Sequence, residues 1–190
     1  MDPKYYWAFH NRGEAKNNIS DFKGAESDFA EALKINSQFL WSYIQRAYMR
    51  SKNGDHISAI EDFDNAIRID PKKDYLFNSR GFSKAQTGDY IGAIKDLSSS
   101  LSLNPNNEGA YTSRAYYKTQ IGDFKGALSD YSAAIKIDPL KPENYLSRAS
   151  TNFNLGDYEQ ANLDYEKVLD IGDNTQKLES VIYLMDNYLI

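Results

Sequence analysis

The stretch IGDFKGALSDY, residues 121–131, holds Asp123, Lys125, Ser129 and Asp130 within eight positions. Acid, base and hydroxyl are the residue types of proton transfer and nucleophilic attack. Nearly the same residues occur 102 positions earlier, however, as ISDFKGAESDF from Ile19. Related stretches begin at Gly54 (GDHISAIEDF), Gly88 (GDYIGAIKDL) and Gly156 (GDYEQANLDY), so the spacing is 34 residues throughout. A fixed period of this length is the mark of a repeat architecture, in which recurring residues build the scaffold. Residues 6–175 divide without insertion or deletion into 6–39, 40–73, 74–107, 108–141 and 142–175.

Other catalytic signals are lacking. His10 and His56 fall at different places in their units, so they have no metal-ligand spacing, and the chain has no cysteine. No Gly-rich phosphate loop or GxSxG elbow occurs. The expectation is a protein that is not an enzyme and takes no cofactor or metal.

The elements that carry the repeated residues are helices. In the third unit Phe77, Gly81 and Ala85 lie four apart, Thr87-Gly88-Asp89 interrupts, and Ile94, Leu97 and Leu101 form a second stripe. The Gly-Asp pairs at 54–55, 88–89, 122–123 and 156–157 suit a tight turn, with glycine at positive φ and aspartate capping the next helix. Asp70-Pro71, Asn104-Pro105 and Asp138-Pro139 end the second helices. The first unit has Ser20-Asp21 at the inner turn, and Ser37 and Asp173 stand in the proline place of the first and last units.

Small residues recur where helices must approach. The twentieth place of every unit is alanine (Ala25, Ala59, Ala93, Ala127, Ala161), and the eighth is Gly13, Ala47, Gly81, Ala115 and Ala149. Opposite them the twenty-fourth place is a ring or leucine: Phe29, Phe63, Leu97, Tyr131 and Tyr165. The seventh place is always arginine (Arg12, Arg46, Arg80, Arg114, Arg148) and the twenty-third always aspartate (Asp28, Asp62, Asp96, Asp130, Asp164). Acid and base recurring together predict a structural ladder of Arg–Asp bridges, within a unit or to its neighbour, rather than an anion-binding stripe. Lys16, Arg50, Lys84 and Lys118, four residues after the arginines, are expected to join it. His56 stands where other units have Phe22, Tyr90, Phe124 and Tyr158, which reads as packing.

On these small, aromatic and proline positions and the 34-residue helix–turn–helix unit, the chain resembles the tetratricopeptide repeat family. The resemblance implies an all-α fold: a right-handed α-solenoid, or superhelix, spanning 1–190 as one domain. Its concave wall would be lined by the first helix of each unit, at the second, fifth, ninth and twelfth places. Those places hold Trp7, Trp41, Tyr75, Gly109 and Glu143 (second), His10, Ile44, Asn78, Thr112 and Leu146 (fifth), and Glu14, Tyr48, Phe82, Tyr116 and Ser150 (ninth). The expected groove, from Trp7, His10, Trp41, Gln45, Tyr48, Tyr75, Asn78, Phe82 and Tyr116, is aromatic and nearly uncharged. It would take a peptide of a partner protein with apolar or aromatic anchors. Where family members that bind chaperone tails carry a cationic carboxylate clamp, this chain has His10, Glu14, Gln45, Tyr75 and Ser79.

Residues 176–190, QKLESVIYLMDNYLI, read as a C-terminal capping helix with a stripe of Leu178, Val181, Ile182, Met185 and Leu189. Tyr183, Leu184, Tyr188 and Ile190 lie off that stripe, so a homo-oligomeric module associating through its apolar ends is an alternative reading. The chain of 190 residues has a net charge of −5, and residues 96–190 hold 8 basic against 14 acidic side chains, which argues against nucleic acid as a partner. MDPKYYWAFH lacks the basic-then-apolar run of a signal peptide, and no stretch is long and apolar enough to span a membrane, so cytoplasmic location is the default expectation.

Overall fold

The structure, a computed structural model, describes residues 5–171. The expected helix over 176–190, with Tyr183, Leu184 and Tyr188, lies outside the described residues. Among the described residues there are ten helices and no strands. They fall into two compact units, Met1–Leu103 and Asn104–Ile190. The first holds α1 (Tyr5–Asn18), α2 (Phe22–Ile35), α3 (Leu40–Lys52), α4 (His56–Ile69), α5 (Asp74–Gln86) and α6 (Tyr90–Leu103). The second holds α7 (Glu108–Gln120), α8 (Phe124–Ile137), α9 (Pro142–Asn154) and α10 (Tyr158–Ile171). Each odd-numbered helix packs on the helix that follows it, and α4 also packs on α5 and α8 on α9.

The boundaries follow from local chemistry. Gly54, Gly88, Gly122 and Gly156 take φ of 85, 86, 80 and 79°, turning the chain sharply between paired helices. The next aspartate caps the second helix: Asp55 Oδ1 accepts from the Ser58 amide at 3.1 Å and Asp123 Oδ1 from the Gly126 amide at 3.0 Å. Ser20 occupies the same turn at φ 64°, a left-handed position in which its Cβ is crowded. At the other boundary Asp70 and Asp138 are extended ahead of their prolines, and each carboxylate accepts from the amide two residues on, at 3.1 and 3.2 Å. Asn36 makes the same extended turn, its Oδ1 accepting from the Gln38 amide at 3.1 Å, with Ser37 in place of proline. The side-chain turn therefore ends the helix by itself.

Packing within each pair puts the small residues against the rings. The five twentieth-place alanines are buried, as are Phe29, Phe63, Leu97, Tyr131 and Tyr165. A Cβ added at Gly13 would stand 2.9 Å from Phe29 Cε1, so the ring packs directly on the glycine backbone. In the first unit Ile44, Ala47, Ala59, Phe63, Ala66 and Leu76 form a cluster that joins α3, α4 and α5.

Arginine and aspartate cross-link each pair. In all five, the arginine Nε donates to Oδ2 at 2.8 Å and Nη2 to Oδ1 at 2.6 Å, in Arg12–Asp28, Arg46–Asp62, Arg80–Asp96, Arg114–Asp130 and Arg148–Asp164. A second cation reaches four of the carboxylates: Lys16, Arg50, Lys84 and Lys118, at 2.8–2.9 Å. Arg50 also forks onto Glu26 of the preceding pair at 2.6 and 3.0 Å.

Two changes test this architecture. Asp62 has a side chain 2% exposed and faces two arginines that are themselves mostly covered. Asp62→Ala is expected to cost about 3–5 kcal/mol in urea unfolding, against roughly 0–1 for Glu31→Ala, which loses only an exposed partner in Lys34. Ser20→Gly relieves the crowded left-handed residue and is expected to raise the unfolding free energy by about 0.5–1 kcal/mol, as a higher urea midpoint with an unchanged m value.

Candidate peptide-binding faces

In the first unit, the helical register turns one face of α3 and one of α5 toward a shared cleft. Its volume is ≈ 610 Å³, and Tyr48, Ser51, Lys52, His56, Phe63, Asn78, Ser79, Phe82 and Gln86 line it. Apolar surface comes from rings. Tyr48 stands edge-on to Phe63 at 5.4 Å, and Phe82 edge-on to His56 at 6.1 Å. Tyr48 and Phe82 remain 40% and 48% exposed, so their faces are open to an incoming group. Polar anchors surround them: Tyr48 Oη and Ser79 Oγ are 3.0 Å apart, and Ser51 Oγ lies 3.2 Å from Ser83 Oγ and 3.4 Å from His56 Nδ1.

Tyr48, Asn78 and Phe82 thus come together, whereas other expected groove residues are placed differently. Trp41 is exposed at the start of α3 and Gln45 is half-buried one turn on, and neither lines this cleft. Tyr75 is half-buried against the Ile44–Leu76 cluster, which pushes its phenol above the usual range. Trp7 stacks edge-on to Phe39 at 4.6 Å and stays 45% exposed. His10 is buried: Phe39, arriving from the turn between α2 and α3, closes over it at 5.0 Å, and its Nδ1 lies 3.1 Å from Ser42 Oγ. It supports the face from beneath and offers no ligand surface. Burial holds its imidazole below the ordinary range, with Glu14, 3.6 Å from Nε2, opposing the shift.

The second unit presents different chemistry. Tyr116, half-exposed, overlooks a cleft of ≈ 420 Å³ lined mainly by hydroxyl and amide residues, among them Thr119, Ser147, Ser150 and Asn154. At the start of α7, Glu108 Oε1 accepts from Asn144 Nδ2 at 2.7 Å and Thr112 Oγ1 at 2.9 Å, and Lys141 Nζ donates to Oε2 at 2.8 Å. Burial pushes the Glu108 carboxyl up, but hydrogen bonds from Lys141, Asn144 and Thr112 outweigh it and leave it below its ordinary value.

Sequence reasoning missed part of the first cleft. Ser51 is a twelfth-place residue and was within reach of the repeat register, as Ser79 was from its neighbour Asn78. His56 and Lys52 were not, because they enter the cleft from the end of α3 and the start of α4, either side of the turn that joins them. Among the described residues no cluster of histidine and carboxylate side chains could hold a metal ion, and no helix is long and apolar enough to cross a membrane.

A sequence-family model described as tetratricopeptide repeat matches residues 42–73 and 142–172, at the register of the second and fifth helix pairs. The chain carries tetratricopeptide repeats. No curated protein sequence matches it. Solved structures do, and at low identity what they share with this chain is the all-α fold of these repeats. A crystal structure of MamA protein superposes with a TM-score of 0.84 at 18% identity, covering 98% of this chain and 97% of that one. MamA 41-end from Desulfovibrio magneticus RS-1 gives 0.80 at 15% identity, over 90% of this chain and 96% of that one. YrrB, described as a TPR protein with an unusual peptide-binding site, gives 0.77 at 19% identity, over 88% and 87%.

The buried groups of these repeats set a pH response. His10 is favoured neutral in the fold, so stability is expected to fall as pH drops below about 6.5, where the unfolded imidazole takes up its proton. Hydrogen bonds from Arg12 hold the Asp28 carboxyl down against its burial, with Lys16 adding to them, so its contribution is present above about 4 and lost as pH falls further. Urea midpoints measured from pH 8 to pH 3 should show both declines, and His10→Gln should remove the first.

Proposed function

We propose that this chain is a non-catalytic protein-interaction module that binds a peptide segment of a partner across the aromatic face of its first unit. The observation that carries the reading is the cleft between α3 and α5. There, open faces of Tyr48 and Phe82 lie beside the amides and hydroxyls of Asn78, Ser79 and Gln86. Exposed rings give large, rigid contact area at little entropic cost, and the polar groups around them can satisfy a peptide backbone. The presence of tetratricopeptide repeats and the peptide-binding site named for YrrB support the same reading. Trp7, Trp41 and Tyr75 extend the aromatic surface beyond the cleft, and a partner with apolar or aromatic anchors fits it. A terminal carboxylate clamp does not fit, because the positions that would supply it hold buried His10, Glu14, Gln45, Tyr75 and Ser79.

The test is peptide selection from a displayed random library, followed by titration of the selected sequences. Peptides bound by the wild-type chain are expected to lose about 30-fold or more in affinity to Trp41→Ala/Tyr75→Ala, and likewise to Phe82→Ala, in line with losses of roughly 2 kcal/mol at aromatic hot spots. Unchanged affinity in both variants overturns the reading, as does micromolar binding of an acidic C-terminal tail peptide as tight as that of the selected sequences.

A further inference from the structure

The cleft between α3 and α5 holds two residues that break the repeat. At the thirteenth place of the units stand Asn18, Lys52, Gln86, Gln120 and Asn154, so Lys52 is a cation at a place that otherwise holds amides. At the seventeenth place His56 stands among the rings Phe22, Tyr90, Phe124 and Tyr158. Both departures line the same cleft. In the second unit the cleft beside Tyr116 takes Gln120 and Asn154 from the thirteenth place, and its lining among the described residues is uncharged. The cleft of the first unit has Lys52 and, among the described residues, no lining carboxylate, in a chain of net charge −5.

The other cations near Lys52 are held by the scaffold. Arg50 is bound to Asp62 and Glu26, and Lys84 to Asp96. Lys52 is exposed and forms no ion pair among the described residues. Asp55, between the lining residues Gly54 and His56, caps α4 through the Ser58 amide and does not line the cleft.

Spacing defines the ligand. Tyr48 and Lys52 are four residues apart on α3, and Phe82 and Gln86 four apart on α5, so each wall presents a ring and, about one helical turn on, a polar head. Four helical residues rise about 6 Å. Two residues of extended chain rise about 6.6 Å and point to the same side. An extended segment lying along α3 therefore sets an apolar side chain on the rings of Tyr48 and Phe82 and brings the side chain two positions away to Lys52 Nζ, beside the Gln86 amide.

We propose that the peptide recognised by the first unit carries an internal aspartate or glutamate two residues from its apolar or aromatic anchor, and that Lys52 holds this carboxylate. The proposal rests on the peptide-binding reading and adds a charge specificity to it. It needs no free chain end, and Lys52 lies outside the places compared above with the terminal carboxylate clamp.

Titration of peptides selected by the wild-type chain from the displayed library, resynthesised with amidated C-termini, tests it. These peptides are expected to be enriched in Asp or Glu two positions from the anchor. Changing that acid to its amide, or Lys52→Gln, is expected to weaken binding about 5-fold at low salt and less as salt is raised. Both changes together should weaken it no further than either alone, because they remove one shared contact. Lys52→Glu should reject the acidic peptide and bind a version with lysine at that position better than wild type does. Lys52 is exposed, so circular dichroism of both variants should match wild type. Phe82→Ala separates the subsite from the reading beneath it. If Phe82→Ala loses binding while acid and amide peptides bind wild type within about two-fold of each other, the carboxylate subsite alone is overturned. An unenriched selection, or a Lys52→Glu chain that still prefers the acidic peptide, overturns it too. If no selected peptide binds wild type, or if neither Phe82→Ala nor Trp41→Ala/Tyr75→Ala weakens binding, the peptide-binding reading falls and the subsite with it.

Discussion

A carboxylate shut off from water at the contact of two helices is stable there only if its charge is met. Each of the five pairs has such a group, and each meets it with a planar guanidinium that satisfies both carboxylate oxygens at once. The geometry is demanding. The arginine must leave one helix and the aspartate the other at fixed heights, which sets the register of the pair as a zipper sets two edges. Alanine at the twentieth place and glycine or alanine at the eighth let the backbones close to the distance that the fork requires. The turn between them, with glycine at positive φ and aspartate as cap, brings the second helix back at the right height. Packing, turn and charge all specify the same helix pair, which is the condition for a sequence to select one structure.

Because the scaffold is held by residues that recur, function is free to sit on residues that do not. In the first unit the outward positions of α3 and α5 are rings beside small polar groups, and their cleft is apolar at its centre. In the second the corresponding positions are hydroxyls and amides, and a half-buried glutamate held by lysine, asparagine and threonine ties α7 to α9. One backbone design therefore displays two surfaces of different chemistry. The two aspartates of IGDFKGALSDY belong to the recurring set: Asp123 caps α8 and Asp130 closes a fork with Arg114 and Lys118.

The helices, their ends and the residue types of the charged ladder were legible in the sequence, because each recurs at a constant separation along the chain, while the pairing of each arginine with the aspartate of its own helix pair came from the structure. Arg12 and Asp28 stand sixteen residues apart, as do Arg148 and Asp164, and the interval is the same wherever the pair occurs. The open rings were partly legible for the same reason: Tyr48, Phe82 and Tyr116 share the ninth place and all remain exposed. His10 shows where this reasoning ends. It shares its place with Asn78, which lines the cleft, but Phe39 folds across it from the next turn and seals it off.

The amino-acid sequence by itself determined the period, the paired helices, the caps and an Arg–Asp ladder, since these rest on local backbone chemistry and on spacings that repeat. Tertiary structure alone decided which rings stay open, which are covered, and that Lys52 and His56 join the cleft. Helical periodicity says which way a side chain leaves its helix, but what then lies over it arrives from another part of the chain. At His10 that covering separates a residue that only packs from Asn78, which stands at the same place and lines the cleft.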